Sequence, residues 1–139
     1  MRILAMYVGE CGTEWCRLGD GDVAAGVHSG MTGINAVWVL LKEELDRGSG
    51  SEEEPIMVAV GGRMSPAERG DLCIWEARTP YTDMELYAGW EIADAIRDAD
   101  RANGPLAEAM RQQGLLSPAA PARRAAAMAL DMAVRSDCE

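Results

Sequence analysis

The stretch TEWCRLGDGDVAAGVH, residues 13–28, has the pattern of a β-hairpin. Two β-prone runs, 13–18 and 23–28, flank the segment Gly19-Asp20-Gly21-Asp22, whose Asp-Gly pair is typical of a tight hairpin turn. A third β-prone run, residues 2–9, precedes them. The sequence therefore predicts an antiparallel meander of three strands at the start of the chain.

A helix and a buried strand are predicted to follow the meander. Apolar residues recur at helical spacing, with charged residues toward the other face, and this pattern predicts a helix. Its apolar positions are Ile34, Val37, Trp38, Leu41 and Leu45. Trp38 is expected to anchor this helix in the core. Residues 55–60 form a compact apolar run that ends in Gly61-Gly62. This pair predicts unusual backbone angles or a close approach at the end of the strand.

The remaining elements are predicted from short signals. A turn at residues 65–68 leads into a fifth strand at 71–77, and Thr82-x-x-Glu85 has the form of a capping box that opens a helix over 82–102. Two more helices are expected at 105–114 and 117–134. The predicted fold class is α+β: one globular domain over 1–139, strand-rich at 1–78 and helical at 82–136, with a mixed sheet of about five strands.

The order of the first elements resembles that of the ribonuclease H-like fold, which has three antiparallel strands, a helix and then a buried strand. That fold holds two metal ions with carboxylates. Here the first strand has no internal acid and the fourth ends in Gly61-Gly62. The resemblance implies an architecture, and nuclease chemistry does not follow from it.

Composition narrows the classes of function. The chain has 139 residues, with 23 acids against 13 bases and a net charge of -10, which disfavours binding to nucleic-acid phosphates. Its longest apolar stretch is too short to span a bilayer, so no membrane association is expected. Four cysteines without an export signal indicate reduced thiols and a cytoplasmic location. The spacing of Cys11 and Cys16 suits neither a redox pair nor a zinc knuckle, and we expect no metal and no cofactor.

The segment Gly26–Gly33, between a predicted strand and a predicted helix, is the best candidate for an anion site. Glycine backbone N–H groups and a helix N-terminus suit a phosphate or carboxylate, and the candidate ligands are Ser29, Gly30, Thr32 and Gly33. His28, the sole histidine, is a candidate acid/base group. The alternative is that the glycines only turn the chain and that Ser29 or Thr32 caps the helix.

Residues 71–75 and 82–88 resemble the strand, loop and Thr-x-x-Glu helix start of nucleoside deoxyribosyltransferases. In that family a glutamate at the helix start is the nucleophile, which the resemblance places at Glu85. It implies a nucleoside-like substrate.

Helical phase over 82–102 predicts an acidic ridge, and a ridge of this kind is either a solvated face or a docking surface for a basic partner. Its candidate partner-binding residues are Asp83, Tyr87, Glu91, Asp94 and Asp98. We expect a non-enzymatic binding or assembly protein, such as an inhibitor, an immunity-type factor or a subunit of a larger particle, with a basic protein partner or self-association. The alternative is a small enzyme that uses the Gly26–Gly33 segment with His28 or Glu85.

Overall fold

The computed structural model describes residues 2–19, 21–47, 55–79 and 82–137, without the side chains of Ala77, Arg78 and Asp137. The strands of these ranges are β1 Arg2–Val8, β2 Gly12–Gly19, β3 Asp22–Ser29, β4 Ile56–Gly62 and β5 Thr82–Tyr87. Their helices are α1 Gly33–Asp46, α2 Pro66–Arg78, α3 Gly89–Arg101, α4 Pro105–Gln112 and α5 Arg123–Asp137.

The strands form one mixed sheet in the order β3-β2-β1-β4-β5. Antiparallel pairing joins β1 to β2 and β2 to β3, whereas β4 runs parallel to β1 and β5 parallel to β4. The predicted meander is confirmed, and so are the α+β class and the predicted order of three strands, a helix and a buried strand. The strands β3 and β5 form the two edges of the sheet.

Helices cover both faces of the sheet. On one face, α5 contacts β1 and β2 and also packs against α3. Its buried positions 125–129 are four alanines and Met128, whose small neighbours let the helix approach the sheet closely. On the other face, Val37, Leu40 and Leu41 of α1 pack with Leu72 of α2 on the side chains of β1 and β4.

Residues 66–78 form helix α2, so the strand predicted at 71–77 is wrong. The predicted turn is the start of this helix: Ser65 is its N-cap, Pro66 stands at its first position, and the side chains of Ser65 and Glu68 bond each other's backbone N–H groups. A complete capping box fixes the helix start and outweighs the short apolar run that follows.

The predicted helix over 82–102 is also wrong at its start. Residues 82–87 form β5, which pairs with the outer edge of β4 and satisfies its backbone groups there. The Thr82 hydroxyl donates to the Thr79 carbonyl at 3.0 Å and caps no helix. Helix α3 begins at Gly89, so α2 lies in the part expected to be strand-rich and β5 in the part expected to be helical.

The prediction of unusual backbone angles or a close approach at Gly61-Gly62 is confirmed. Gly62 has φ +106°, and a Cβ there would lie 2.3 Å from the Val8 carbonyl oxygen, so both a positive φ and a close approach exclude other residues.

The prediction that Trp38 anchors α1 in the core is wrong. The Trp38 side chain is 41% exposed and stacks at a tilt on Trp75 of α2, with ring centroids 4.9 Å apart. It lies at the edge of the α1–α2 contact, because Val37 and Leu41 face the sheet instead.

Candidate functional site

The segment predicted as an anion loop is held in place by two threonine hydroxyl groups, one from Thr32 within it and one from Thr13 of β2. Gly26 to Ser29 belong to β3, and only Gly30 to Thr32 connect it to α1. The Thr32 hydroxyl donates to the Gly9 carbonyl at 2.7 Å, and the Thr13 hydroxyl donates to the Met31 carbonyl at 2.9 Å. Thr32 occupies the N-cap position of α1 without capping it through its side chain.

A carboxylate of the chain itself occupies the N-terminus of α1. The Ile34 backbone N–H donates to Glu68 Oε2 at 3.0 Å, while the Ser65 N–H donates to Glu68 Oε1 at 3.0 Å. These two backbone hydrogen bonds, from Ser65 first and then Ile34, lower the pKa of Glu68 below its usual range. An incoming anion would have to displace Glu68, which argues against the predicted anion site around Gly30 and Gly33.

The two candidate catalytic residues lie far apart. His28 is on β3 and Glu85 on β5, the opposite edges of the sheet. Four strand spacings of about 4.8 Å place these strands roughly 19 Å apart. None of the four main cavities among the described residues is lined by either residue. Glu85 therefore cannot act on a substrate held by the Gly26–Gly33 segment.

Glu85 belongs instead to a polar cluster that joins β5 to α5. Arg135 donates to both Glu85 oxygens, at 3.0 and 2.9 Å, and its Nε donates to Asp131 Oδ2 at 3.1 Å. The Tyr87 hydroxyl donates to the same Asp131 oxygen at 2.6 Å, and Arg135 also contacts this hydroxyl. Burial and the bond to Asp131 raise the pKa of Tyr87, and the Glu85 carboxylate raises the pKa of Arg135. The cluster ties the last helix to the edge strand, and no local sequence pattern could reveal it.

The acidic ridge is divided between two elements. Asp83 and Tyr87 lie on β5, so their predicted position on a helix is wrong, and Tyr87 is only 2% exposed. Glu91, Asp94 and Asp98 do lie on α3, at positions i, i+3 and i+7, which share one helix face. The Glu91 carboxylate accepts from the Ala88 backbone N–H at 3.0 Å, and Asp94 pairs with Arg97.

A groove between α3 and α5 adjoins this face. It has a volume of about 280 Å³ and is lined by Ala95, Asp98, Ala99, Arg101, Ala102, Leu130, Asp131 and Val134. Its walls are mainly apolar, and its charged lining residues are Asp98, Asp131 and Arg101. The lining residue Val134 is 46% exposed. The ridge residue Asp98 thus borders an apolar concavity that the sequence pattern did not show.

The cysteines show two environments. Cys11 and Cys73 are free and exposed, whereas Cys16 is buried, and burial raises the pKa of its thiol to about 12. Cys16 is therefore protonated and unreactive at neutral pH. Cys138 lies outside the described residues. Among those residues, no group of three or more His, Cys, Asp or Glu side chains is arranged to hold a metal ion.

No family model, no curated protein and no solved structure matches this chain. In the described ranges, no helix has the length and apolar character needed to cross a membrane.

Proposed function

We propose that this chain is a non-enzymatic binding protein that docks a protein partner with a basic surface through α3 and the adjoining α3–α5 groove. One observation carries the proposal: an apolar groove lies directly beside the helix face that bears Glu91, Asp94 and Asp98. Apolar concavities with a polar rim are typical of the centre of protein interfaces.

The chemistry of the groove defines the partner. Its apolar walls suit an aliphatic side chain, and Asp98 suits a Lys or Arg close to that side chain. The net charge of -10 adds long-range attraction for a basic surface, which raises the association rate. The partner would therefore present an apolar residue flanked by cations.

A second feature of α3 supports the proposal. Trp90, in its first turn, is 70% exposed, the highest exposure among the large apolar side chains described. Tryptophan is enriched among the residues that dominate binding energy at interfaces. Trp90 would contact the partner beyond the end of the groove that is nearer the start of α3.

The test is selective capture from the organism's own extract. Wild-type protein, the double variant Asp94→Lys, Asp98→Lys and the control Asp46→Lys are immobilised in parallel. Asp46 is an exposed acid at the end of α1, so the control makes the same kind of charge reversal on another surface. We expect a basic protein that wild type and the control retain and the double variant loses. A protein retained equally by all three, or no stoichiometric partner at all, would reject the proposal.

A further inference from the structure

The outer edge of β3 lacks the features that usually prevent edge strands from pairing. Over its eight residues the strand has one charged side chain, Asp22, and no Lys, Arg or Pro, and its register with β2 runs without a bulge. The other edge strand, β5, carries Asp83 and Glu85 in the middle of its length. Charges on an edge strand oppose pairing, so β5 is protected and β3 is not.

The backbone groups that β3 presents outward can be assigned. The Gly30 N–H donates to the Cys11 carbonyl at 2.8 Å, which continues the β2–β3 register. Since bonded positions alternate along an antiparallel pair, residues 22, 24, 26 and 28 bond to β2. The N–H and C=O groups of Val23, Ala25 and Val27 therefore point away from β2, along an edge that no other described strand covers.

The sequence of β3 is complementary to itself in one antiparallel register. If two copies of the strand pair about Ala25, the outward groups of Val23 face those of Val27 in the other copy, as the alternation requires. The same register sets Asp22 opposite His28 of the second copy at both ends, a favourable cross-strand pair.

The surroundings of the edge fit the same arrangement. Val27 is 42% exposed, and a groove of about 340 Å³ opens next to Val23, between the start of β3 and Leu106 and Ala109 of α4. Val23 packs against the part of the core that lies under α5. Val27, four residues further along β3, lies on the same face of the sheet. In the pairing about Ala25, Val27 of each copy would cover Val23 and the groove of the other.

We infer that two copies of this chain associate through β3 as a two-fold dimer with a continuous ten-stranded sheet. The inference goes beyond the proposed function and does not depend on it. Helix α3 contacts α5 and β4, away from the β3 edge, so both docking surfaces would stay exposed. Such a dimer would bind its partner bivalently, which increases avidity.

The first test is the mass in solution at about 0.15 M salt, where repulsion between the acidic copies is largely screened. Light scattering after gel filtration should give twice the monomer mass of 14.9 kDa for wild type. Val27→Lys should yield the monomer, whereas Ile74→Lys, a matched change at an exposed position of α2, should leave the dimer intact. A wild-type monomer at every concentration, or equal loss in both variants, would overturn the inference.

The second test fixes the register by crosslinking, in a background in which Cys11, Cys73 and Cys138 are serine. Opposite residues in a bonded pair have Cα atoms about 5.5 Å apart, within the range of about 4.4 to 6.8 Å that disulfides span. Ala25→Cys should therefore crosslink under mild oxidation, to an extent limited by the wider Cβ spacing of a bonded pair. Ala24→Cys, whose counterpart across the pair is Gly26, should not. Equal crosslinking of the two variants would reject the proposed register and with it the dimer.

Discussion

The carboxylate of Glu68, on α2, accepts a hydrogen bond of 3.0 Å from the backbone N–H of Ile34, in the first turn of α1. It joins two helices on one face of the sheet and supplies the negative charge that a helix N-terminus favours. The helix N-terminus that the sequence indicated as an anion site therefore already holds a carboxylate of the chain itself.

Replacing Glu68 should lower stability in a pH-dependent way. The pKa of Glu68 is below its ordinary value of 4.5. The ionised carboxylate therefore stabilises the fold above that pH, and this stabilisation disappears as pH falls through the lowered pKa of the folded state. Glu68→Gln should therefore melt below wild type at neutral pH, with the difference vanishing in acid. The control is Glu43→Gln, an exposed carboxylate on α1. A difference that persists unchanged in acid would contradict the role of the carboxylate charge.

Tyr87→Phe should destabilise the fold by about 1 to 2 kcal/mol in urea unfolding, because a hydrogen bond to the Asp131 carboxylate is lost. The pKa of Tyr87 is raised above the ordinary 10, so wild type should lose stability as pH rises past 10, and the variant should lose less. Tyr7→Phe is the control and should stay within about 0.5 kcal/mol of wild type. Equal effects of the two changes would show that the bond to Asp131 contributes nothing.

Two glycines with positive φ should respond differently to alanine. Gly62→Ala combines an unfavourable φ with a clash against Val8 and should cost about 3 kcal/mol or more, or prevent folding. Gly21→Ala, at φ +84° with no atom near the added Cβ, should cost about 1 to 2 kcal/mol. Denaturation midpoints of the two variants provide the comparison. Similar losses would mean that β1 and β4 move apart easily at Val8.

Trp38→Ala should cost about 2 kcal/mol, below the range of about 3 to 5 kcal/mol for a fully buried aromatic, because the ring is 41% exposed. The companion variant Leu41→Ala, at a fully buried position of α1, should cost about 2 to 5 kcal/mol. Urea unfolding measures the loss of stability in both variants. A greater loss for Trp38 than for Leu41 would indicate that the contact with Trp75 dominates the packing of α1.

The first part of the fold could be predicted because its signals are local. The hairpin turn before Asp22, the apolar stripe of α1 and the glycine pair after Val60 each act within a few residues, and all three features are present. The β-meander, α1 and β4 follow from them.

Two similar motifs had opposite outcomes further along the chain. Ser65-x-x-Glu68 caps α2, with Pro66 preset for the first helical position, whereas Thr82-x-x-Glu85 lies in a strand. The choice at Thr82 depends on the unpaired edge of β4, a long-range requirement that local propensity does not contain. A proline after the serine was the signal that could have separated them.

The candidate site depends on contacts across the chain. The cluster around Asp131 and Arg135 joins residues 44 to 50 positions apart, and the α3–α5 groove exists only once both helices are packed. The acids of α3 could be proposed from sequence, since their helical spacing is local, but Tyr87 could not be assigned to the core. The placement of Glu85 failed for the same reason.

The proposed function requires that the acids of α3 attract and hold a basic partner. Reversal of Glu91 is left out of the test, because its carboxylate bonds the Ala88 N–H at the start of α3. Reversal of Asp94 and Asp98 should leave stability nearly intact, since exposed ion pairs contribute little to folding.

The most direct measurement is the association rate of the purified partner at increasing salt, for wild type, the double variant Asp94→Lys, Asp98→Lys and the control Asp46→Lys. We expect fast association for wild type and the control, and this association should slow steeply as the screening length falls to about 8 Å and below. The double variant should associate at least about tenfold more slowly, with little dependence on salt. The same rate and the same salt dependence in all three proteins would show that Asp94 and Asp98 do not attract the partner.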